Sequence, residues 1–356
     1  MSSKNNQSLL KISFFLLFCF LAFYTVWDNF SMYSIEEKIL KSKNLVISIF
    51  NKQKVATKIL PLNETKLVSI ASDVFNGRRL GNLMFVLAAL FYVAEHSNRT
   101  AVLPTDIPYG WIDKYFNDST LPRLPNNFLY DKNRSQVLRE RFSPVVFDPI
   151  FSYPHFDPKI KNTQIILISG YFESYLYTVG YESKLKRNFS FKQKTLEVVD
   201  KFIEELKSNI TSEYPIKTVG MHIRRGDFIT SGYTVVDVEY INYTTNYIYK
   251  LFNKNSKSFI IYFLCSEDTK WVNETIRNLT STQALNNTKF VISEKHDALF
   301  DMCLISKSDA VITSTGTFSW WSGWLANTTT FYYSKYPTKN TALGKFYYNP
   351  TWIGYP

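Results

Sequence analysis

The stretch Thr218-Val219-Gly220-Met221-His222-Ile223-Arg224-Arg225-Gly226-Asp227 decides how this chain is read, because an apolar strand pattern ends there in concentrated positive charge. Side chains alternate along a strand, so Val219, Met221 and Ile223 share one face while Gly220, His222 and Arg224 share the other. Gly220 is expected to leave room on that second face for a ligand, and Arg225 emerges where the strand stops. Ligands of open α/β sheets bind at the carboxyl ends of the strands. A planar guanidinium fork also suits paired phosphate oxygens better than a point charge does. Two plainer readings compete. Arg225-Gly226-Asp227 is also an adhesion tripeptide, which works on an exposed loop tip, and His222 with Arg224 could pair with buried carboxylates in a purely structural network.

Outward from this stretch, strands and helices alternate. Leu67 to Ile70 reads as a strand, Gly77-Arg78-Arg79-Leu80-Gly81-Asn82 as a loop, Leu83 to Glu95 as a helix and Ala101 to Leu103 as the next strand. That is a βαβ unit and predicts a parallel sheet. Tyr109 to Phe156 is aromatic and Pro-studded, an insertion suited to an acceptor pocket or plain packed loop. Ile165 to Ile168 is a buried strand leading into Ser169-Gly170-Tyr171-Phe172-Glu173-Ser174, and Lys192 to Leu206 has helical periodicity. Beyond the His-Arg strand, Phe259 to Leu264 runs into Ser266-Glu267-Asp268, and Ala310 to Thr313 into Ser314-Thr315-Gly316-Thr317 before a helix from Phe318 to Leu325. Hydroxyls, a glycine and backbone amides at a helix N-terminus favour a phosphate. Ordinary capping explains Ser or Thr, and also Asp268, in the same positions. The lobes divide near residue 200, as 67–200 and 201–356.

The 356 residues, 45% of them hydrophobic, suffice for two cores. The net charge of +11 comes without a long basic run, so nucleic acid is not the expected partner. A 17% share of aromatic residues suits stacking on sugars or bases. Ile12 to Trp27 carries no charge and is preceded by Leu9, Leu10 and Lys11, so residues 9–27 read as a transmembrane signal anchor. Lys4 and Lys11 precede the apolar run whereas Asp28, Glu36 and Glu37 follow it, which keeps residues 1–8 cytosolic and the body lumenal. A cleaved signal peptide is the rival reading, without a convincing small-x-small site after the run. Residues 28–66 are polar and Lys-rich, as in a stem. Lumenal placement agrees with the Asn-x-Ser/Thr sequons at Asn63, Asn98, Asn117, Asn133, Asn188, Asn209, Asn242, Asn273, Asn278, Asn286 and Asn327. Cys19 falls in the apolar run, leaving Cys265 and Cys303 as one disulfide or two buried thiols.

Taken together, Arg79-Leu80-Gly81-Asn82-Leu83-Met84, Gly170 to Ser174, Val219 to Asp227, Ser266 to Asp268 and Thr313 to Leu325 with its Trp320-Trp321 pair resemble the α1,2-fucosyltransferase family. The resemblance covers most of residues 67 to 356. It implies a GT-B-like α/β fold, two Rossmann-like lobes facing across a cleft, and an inverting, metal-independent transfer of L-fucose from GDP-fucose to the 2-hydroxyl of a terminal galactose on a glycoprotein or glycolipid. No cofactor is expected beyond this donor, and no Asp-x-Asp loop for a divalent metal stands in the chain. The expected location is the Golgi membrane, as a single-pass type II protein. The alternatives are a GDP-sugar transferase of another linkage or acceptor, and a catalytically silent, membrane-anchored glycan-binding protein of the same fold.

The resemblance also implies roles. Arg224 would neutralise charge developing on the departing diphosphate, the part a metal plays elsewhere. His222 and Asp268 would hold the guanosine, and Ser314, Thr315 and Thr317 the phosphates, with Arg225 and Gly81 also at the donor. Asn82 would face the reacting centre from the other lobe. Asp227, Asp237, Glu239 and Glu173 are candidates for the general base, and Asp227 serves equally well as an ion-pair partner of Arg224 or Arg225. Leu83 and Glu173 each stand where many relatives carry Gln, both on the acceptor side. Trp320, Trp321 and Trp324 read first as core and second as a sugar-stacking surface.

Overall fold

The run of apolar residues in the His-Arg strand is long because both its faces are covered. The structure, a computed structural model, describes residues 65–107, 115–117, 121–142, 146–282, 285–293, 297–337 and 346–356. The signal anchor, the stem up to residue 64 and the sequon at Asn63 lie outside the described residues. Among the described residues no helix is long and apolar enough to cross a membrane.

The N-terminal lobe is built on strands β1 (Leu67–Ile70) and β2 (Thr100–Ala101), joined by helix α1 (Leu80–His96). A short parallel pair, β3 (Leu103–Pro104) and β4 (Arg123–Leu124), and the turn of helix α2 (Asn126–Leu129) lead to β5 (Ser135–Arg139) and β6 (Ile165–Ser169). The sheet order is β2-β1-β6-β5 and every pairing is parallel, as the βαβ pattern predicts. All of β1 and β6 is buried, which is why these strands read as unbroken apolar runs rather than alternating ones. Helices α3 (Glu182–Asn188) and α4 (Gln193–Ser208) then carry the chain to the second lobe.

That lobe comprises β7 (Ile216–Ile223), α5 (Gly226–Thr230), α6 (Val238–Phe252), β8 (Phe259–Ser266), α7 (Thr269–Thr282), β9 (Thr288–Ile292), α8 (Ala298–Ser306), β10 (Ala310–Ile312), α9 (Thr317–Ala326), β11 (Thr329–Tyr332) and β12 (Ile353–Gly354). Its order β12-β11-β10-β7-β8-β9 is all parallel. Counted from β7, this is the doubly wound Rossmann order, whose winding reverses between β7 and β10. The molecule therefore has the GT-B-like α/β plan of two parallel sheets, within one compact unit from Glu64 to Pro356.

Val219, Met221 and Ile223 on one face of β7 join Tyr240, Ile241 and Ile248 of α6 in the core. On the other face the expectation for Gly220 fails. A Cβ there would lie 2.7 Å from Ile305 Cα and 3.0 Å from Ser308 Oγ, so this glycine admits the end of α8 rather than a ligand. Trp320, Trp321 and Trp324 are buried, and Phe85 of α1 approaches Trp320 to 4.6 Å and Trp321 to 4.9 Å. The tryptophans are core, and specifically the core that joins α9 to α1. Cys265 and Cys303 are buried free thiols.

Candidate functional site at the strand switch point

Because β10, β7 and β8 are neighbours, the loops after them meet at one edge of the sheet. The backbone amide of Arg224 donates to Ser314 Oγ at 2.9 Å, tying the loop after β7 to the loop after β10 across the switch point. The Arg224 side chain is 19% exposed, with Nη1 3.1 Å from Glu267 Oε1 and Nη2 paired to Asp227 Oδ1. Its guanidinium sits 5.0 Å above the Phe228 ring. These carboxylates use part of the fork and leave N–H donors for an anion. Gly316, with φ +85, takes a backbone conformation that a side chain would strain, and Phe228 closes over it at 3.1 Å from its ideal Cβ position.

The other lobe contributes from α1. Gly81 lies so close to the start of α9 that a Cβ would sit 2.6 Å from Thr317 Oγ1 and 2.7 Å from Phe318 N. Gly81 is thus a point of lobe contact, and packing against α9 alone accounts for the missing side chain. One residue on, Asn82 Oδ1 accepts a 2.7 Å hydrogen bond from Thr317 Oγ1. The N-termini of α1 and α9 therefore meet. Both present unsatisfied first-turn amides and the positive ends of their dipoles, next to the Arg224 loop. Such a junction favours an anion between the lobes.

The remaining expected residues divide. His222 is beneath the site, 8% exposed. Its ring centroid lies 4.8 Å from that of Phe318, and its Nδ1 is 3.2 Å from Ser314 Oγ. Burial, with Arg224 adding to it, pushes its pKa down to about 3, so the imidazole is neutral and supports Ser314 rather than holding charge. Thr315 is buried, and its Oγ1 has no hydrogen-bond partner among the described residues. Arg225 turns away to pair its Nε with Asp268 Oδ2 at 3.1 Å, and its guanidinium stacks 3.8 Å over Trp271. Asp268 Oδ1 caps α7 by accepting from Trp271 N. With its side chain 14% exposed, Arg225 cannot serve as an adhesion tripeptide at a loop tip.

Three residues matter more than sequence reasoning gave them credit for. Glu267 receives both Arg224 Nη1 and the amide of Arg225, the latter at 2.9 Å. Its signal was available, since it stands in the Ser266-Glu267-Asp268 loop after β8, which pairs with β7. Arg79 reaches from the N-terminal lobe to place Nη2 2.7 Å from Asp227 Oδ2. Phe228 backs Arg224, and no pattern in the chain announced it.

The candidate bases also separate. Asp237 caps α6 through Tyr240 N and binds Tyr333 Oη at 2.8 Å and Lys335 Nζ at 2.7 Å. Burial opposes its ionisation, but Lys335 and Tyr333 outweigh that and hold it below the usual carboxylate range. Glu239 is exposed on α6. Asp227 is shared between two guanidinium groups. Glu173 lies in the turn after β6, where Phe172 adopts φ +56 and Glu140 accepts from Tyr171 N at 2.8 Å and Phe172 N at 3.2 Å. Burial raises Glu173 to about 7 against the opposing charge of Arg78, and raises Glu140 to about 8.

Among the sequons, Asn98, Asn117, Asn133, Asn209, Asn273, Asn278, Asn286 and Asn327 are exposed and Asn242 is partly so. Asn188 departs from expectation: it is 2% exposed and its Nδ2 donates to Lys184 O, leaving no space for an attached sugar.

A model of the family described as Glycosyl transferase family 11 matches residues 34–355. Among curated proteins the chain is 34% identical over 113 residues to the O-antigen biosynthesis glycosyltransferase WbnK of Escherichia coli, a match spanning 30% of this chain and 34% of that one. It is 22% identical over 340 residues to galactoside alpha-(1,2)-fucosyltransferase 2 of Sus scrofa, covering 86% of this chain and 90% of that protein. A solved structure of an Arabidopsis thaliana FUT1 mutant in complex with GDP is similar with a TM-score of 0.47 and 13% identity, over 75% of this chain and 70% of that one.

Proposed function

This chain belongs to glycosyl transferase family 11, and from that premise we propose that it moves L-fucose from GDP-fucose to the 2-hydroxyl of a terminal galactose with inversion at C1. The name of the Sus scrofa relative, matched over 90% of its length, supports the transferred sugar and the linkage. The observation that carries the chemistry is Arg224, part-buried at the switch point between β7 and β10 and beside the meeting N-termini of α1 and α9. As the acceptor hydroxyl attacks C1 and gives up its proton to a general base, the C1–O bond to the diphosphate breaks and its electron pair leaves with the β-phosphate. Negative charge then grows where a guanidinium fork and two helix ends are already oriented, and preorganised donors of this kind lower the barrier without reorganisation. Asn82 and Thr317, bonded to one another, hold the two lobes in register for that step.

This assignment leaves a guanidinium and helix dipoles, rather than a divalent metal, as the charge-neutralising groups, so transfer should resist EDTA. We place the body in the Golgi lumen behind the N-terminal apolar run. The test is transfer by the purified full chain, offered each common GDP- and UDP-sugar with EDTA and a panel of glycans, followed by linkage analysis. GDP-fucose-dependent α1,2 transfer to galactose supports the reading. Transfer of another sugar or to another hydroxyl replaces donor or linkage. GDP binding without transfer points to an acceptor outside the panel, and absence of both GDP binding and transfer favours the silent glycan-binding alternative.

A further inference from the structure

At the far end of α9 from Thr317, a second concavity of about 330 Å³ opens between segments of both lobes. Glu182 and Lys186 of α3 form one wall, Trp324 and Asn327 at the end of α9 another, and Asn349 and Trp352 of the C-terminal segment the third. Trp352 is partly exposed, and its Cη2 edge would lie 3.3 Å from a Cβ on Gly323, a position already crowded by the Thr313 and Thr330 methyls at 2.9 Å. Lys186 Nζ stands 5.9 Å from the Trp324 ring. The partly exposed Trp352 indole, set among an amide, a carboxylate and an ammonium, matches a saccharide, whose C–H faces stack on aromatic rings while its hydroxyls need donors and acceptors. On the rim is Asn327 itself, exposed, in the left-handed conformation (φ +52), and first residue of the sequon Asn327-Thr328-Thr329.

We propose that Asn327 carries an N-linked oligosaccharide whose first sugars lie in this cavity against Trp352, bridging α3 and the C-terminal segment. The sugar would come from a lipid-diphosphate-linked oligosaccharide: a C–N bond forms between sugar C1 and Asn327 Nδ2, the C1–O bond to the diphosphate breaks, and the amide proton is lost to base as the lipid diphosphate departs. The attachment rests on the lumenal placement proposed above, but not on the donor or linkage. A sugar held there links the two lobes on the side away from Arg224, supporting the α1–α9 contact from behind.

The test expresses the full chain in a glycosylating eukaryotic host, maps occupancy by glycopeptide mass spectrometry, and follows release by a peptide N-glycosidase under native conditions. Asn327 is expected to be occupied and its glycan released roughly ten-fold more slowly than those on exposed Asn98 and Asn133, the scale of one aromatic stacking contact. Trp352→Ala, or Lys186→Ala should the tryptophan variant not fold, is expected to bring the release rate to that of Asn98. Thr329→Ala, which ends the sequon, should lower the unfolding midpoint, whereas Thr329→Ser should keep both glycan and midpoint. An empty Asn327 beside occupied Asn98 and Asn133 overturns the proposal, as does release at the common rate in the unmodified chain. Absence of glycan at every sequon overturns the lumenal placement along with it.

Discussion

Arg79 Nη2 lies 2.7 Å from Oδ2 of Asp227, whose other oxygen is paired with Arg224. One carboxylate is thus held by guanidinium groups from both lobes, which marks the point where an anion experiences both at once. The Arg79 side chain is 72% exposed, so this pair contributes at most about 1 kcal/mol to folding. Its effect should appear in donor use instead. Arg79→Ala is expected to raise the KM for the sugar donor by roughly ten-fold while the unfolding midpoint stays near that of the parent. An unchanged KM measured by initial rates would assign Arg79 to surface charge alone.

Arg224→Lys should abolish turnover by about 100-fold or more, the scale of losing one preorganised donor to a developing charge. A single ammonium cannot reproduce a planar fork between Asp227, Glu267 and a diphosphate. Folding should persist, because Phe228 and Glu267 can still receive the lysine stem and charge. Near-normal kcat in a steady-state assay would remove Arg224 from the chemical step.

Gly81→Ala should be disproportionately harmful for one methyl group. Its Cβ would collide with backbone at Phe318 N, 2.7 Å away, and not only with a mobile side chain. Overpacking of this kind costs roughly 1–3 kcal/mol, and because it wedges α1 from α9 it should lower kcat as well as the midpoint. A denaturant titration with unchanged midpoint would show that the helix ends have slack.

Burial shifts Glu173 and His222 in opposite directions, and each shift predicts its own pH response. If the Glu173 carboxylate serves acceptor binding or proton removal, kcat/KM should rise with pH through about 7, where burial has moved the group. Glu173→Gln should flatten that limb and leave GDP affinity unchanged. A limb that survives the substitution would clear Glu173 of the role.

For His222 the folded state is neutral down to about 3 while the unfolded chain protonates near the ordinary value of 6.5. Between those values the unfolded state binds more protons, so stability contributed by neutral His222 is present above 6.5 and is lost as pH falls, by about 1.4 kcal/mol per pH unit. His222→Asn should flatten the acid side of the stability curve by roughly one proton. Identical pH slopes for variant and parent, from denaturant unfolding between pH 4 and 6, would place the acid sensitivity elsewhere.

Local chemistry made much of this protein legible from its residues alone. Parallel strands covered on both faces must be apolar throughout, so β1, β6, β7, β8 and β10 stood out along the chain, and each ended in the loop later found at the sheet edge. Strand alternation placed Val219, Met221 and Ile223 on the core face of β7, where they are. What sequence could not determine was which glycine serves a ligand and which serves packing, because a missing Cβ looks the same in either case. Tertiary structure gave Gly220 to α8 and Gly81 to α9, turned Arg225 onto Trp271 rather than toward the cleft, and buried Asn188 within an otherwise ordinary sequon. It also brought Arg79 and Asp227 together from opposite lobes. Contacts between residues distant along the chain follow from how helices pack over sheets, and no local pattern records that packing until the chain has closed on itself.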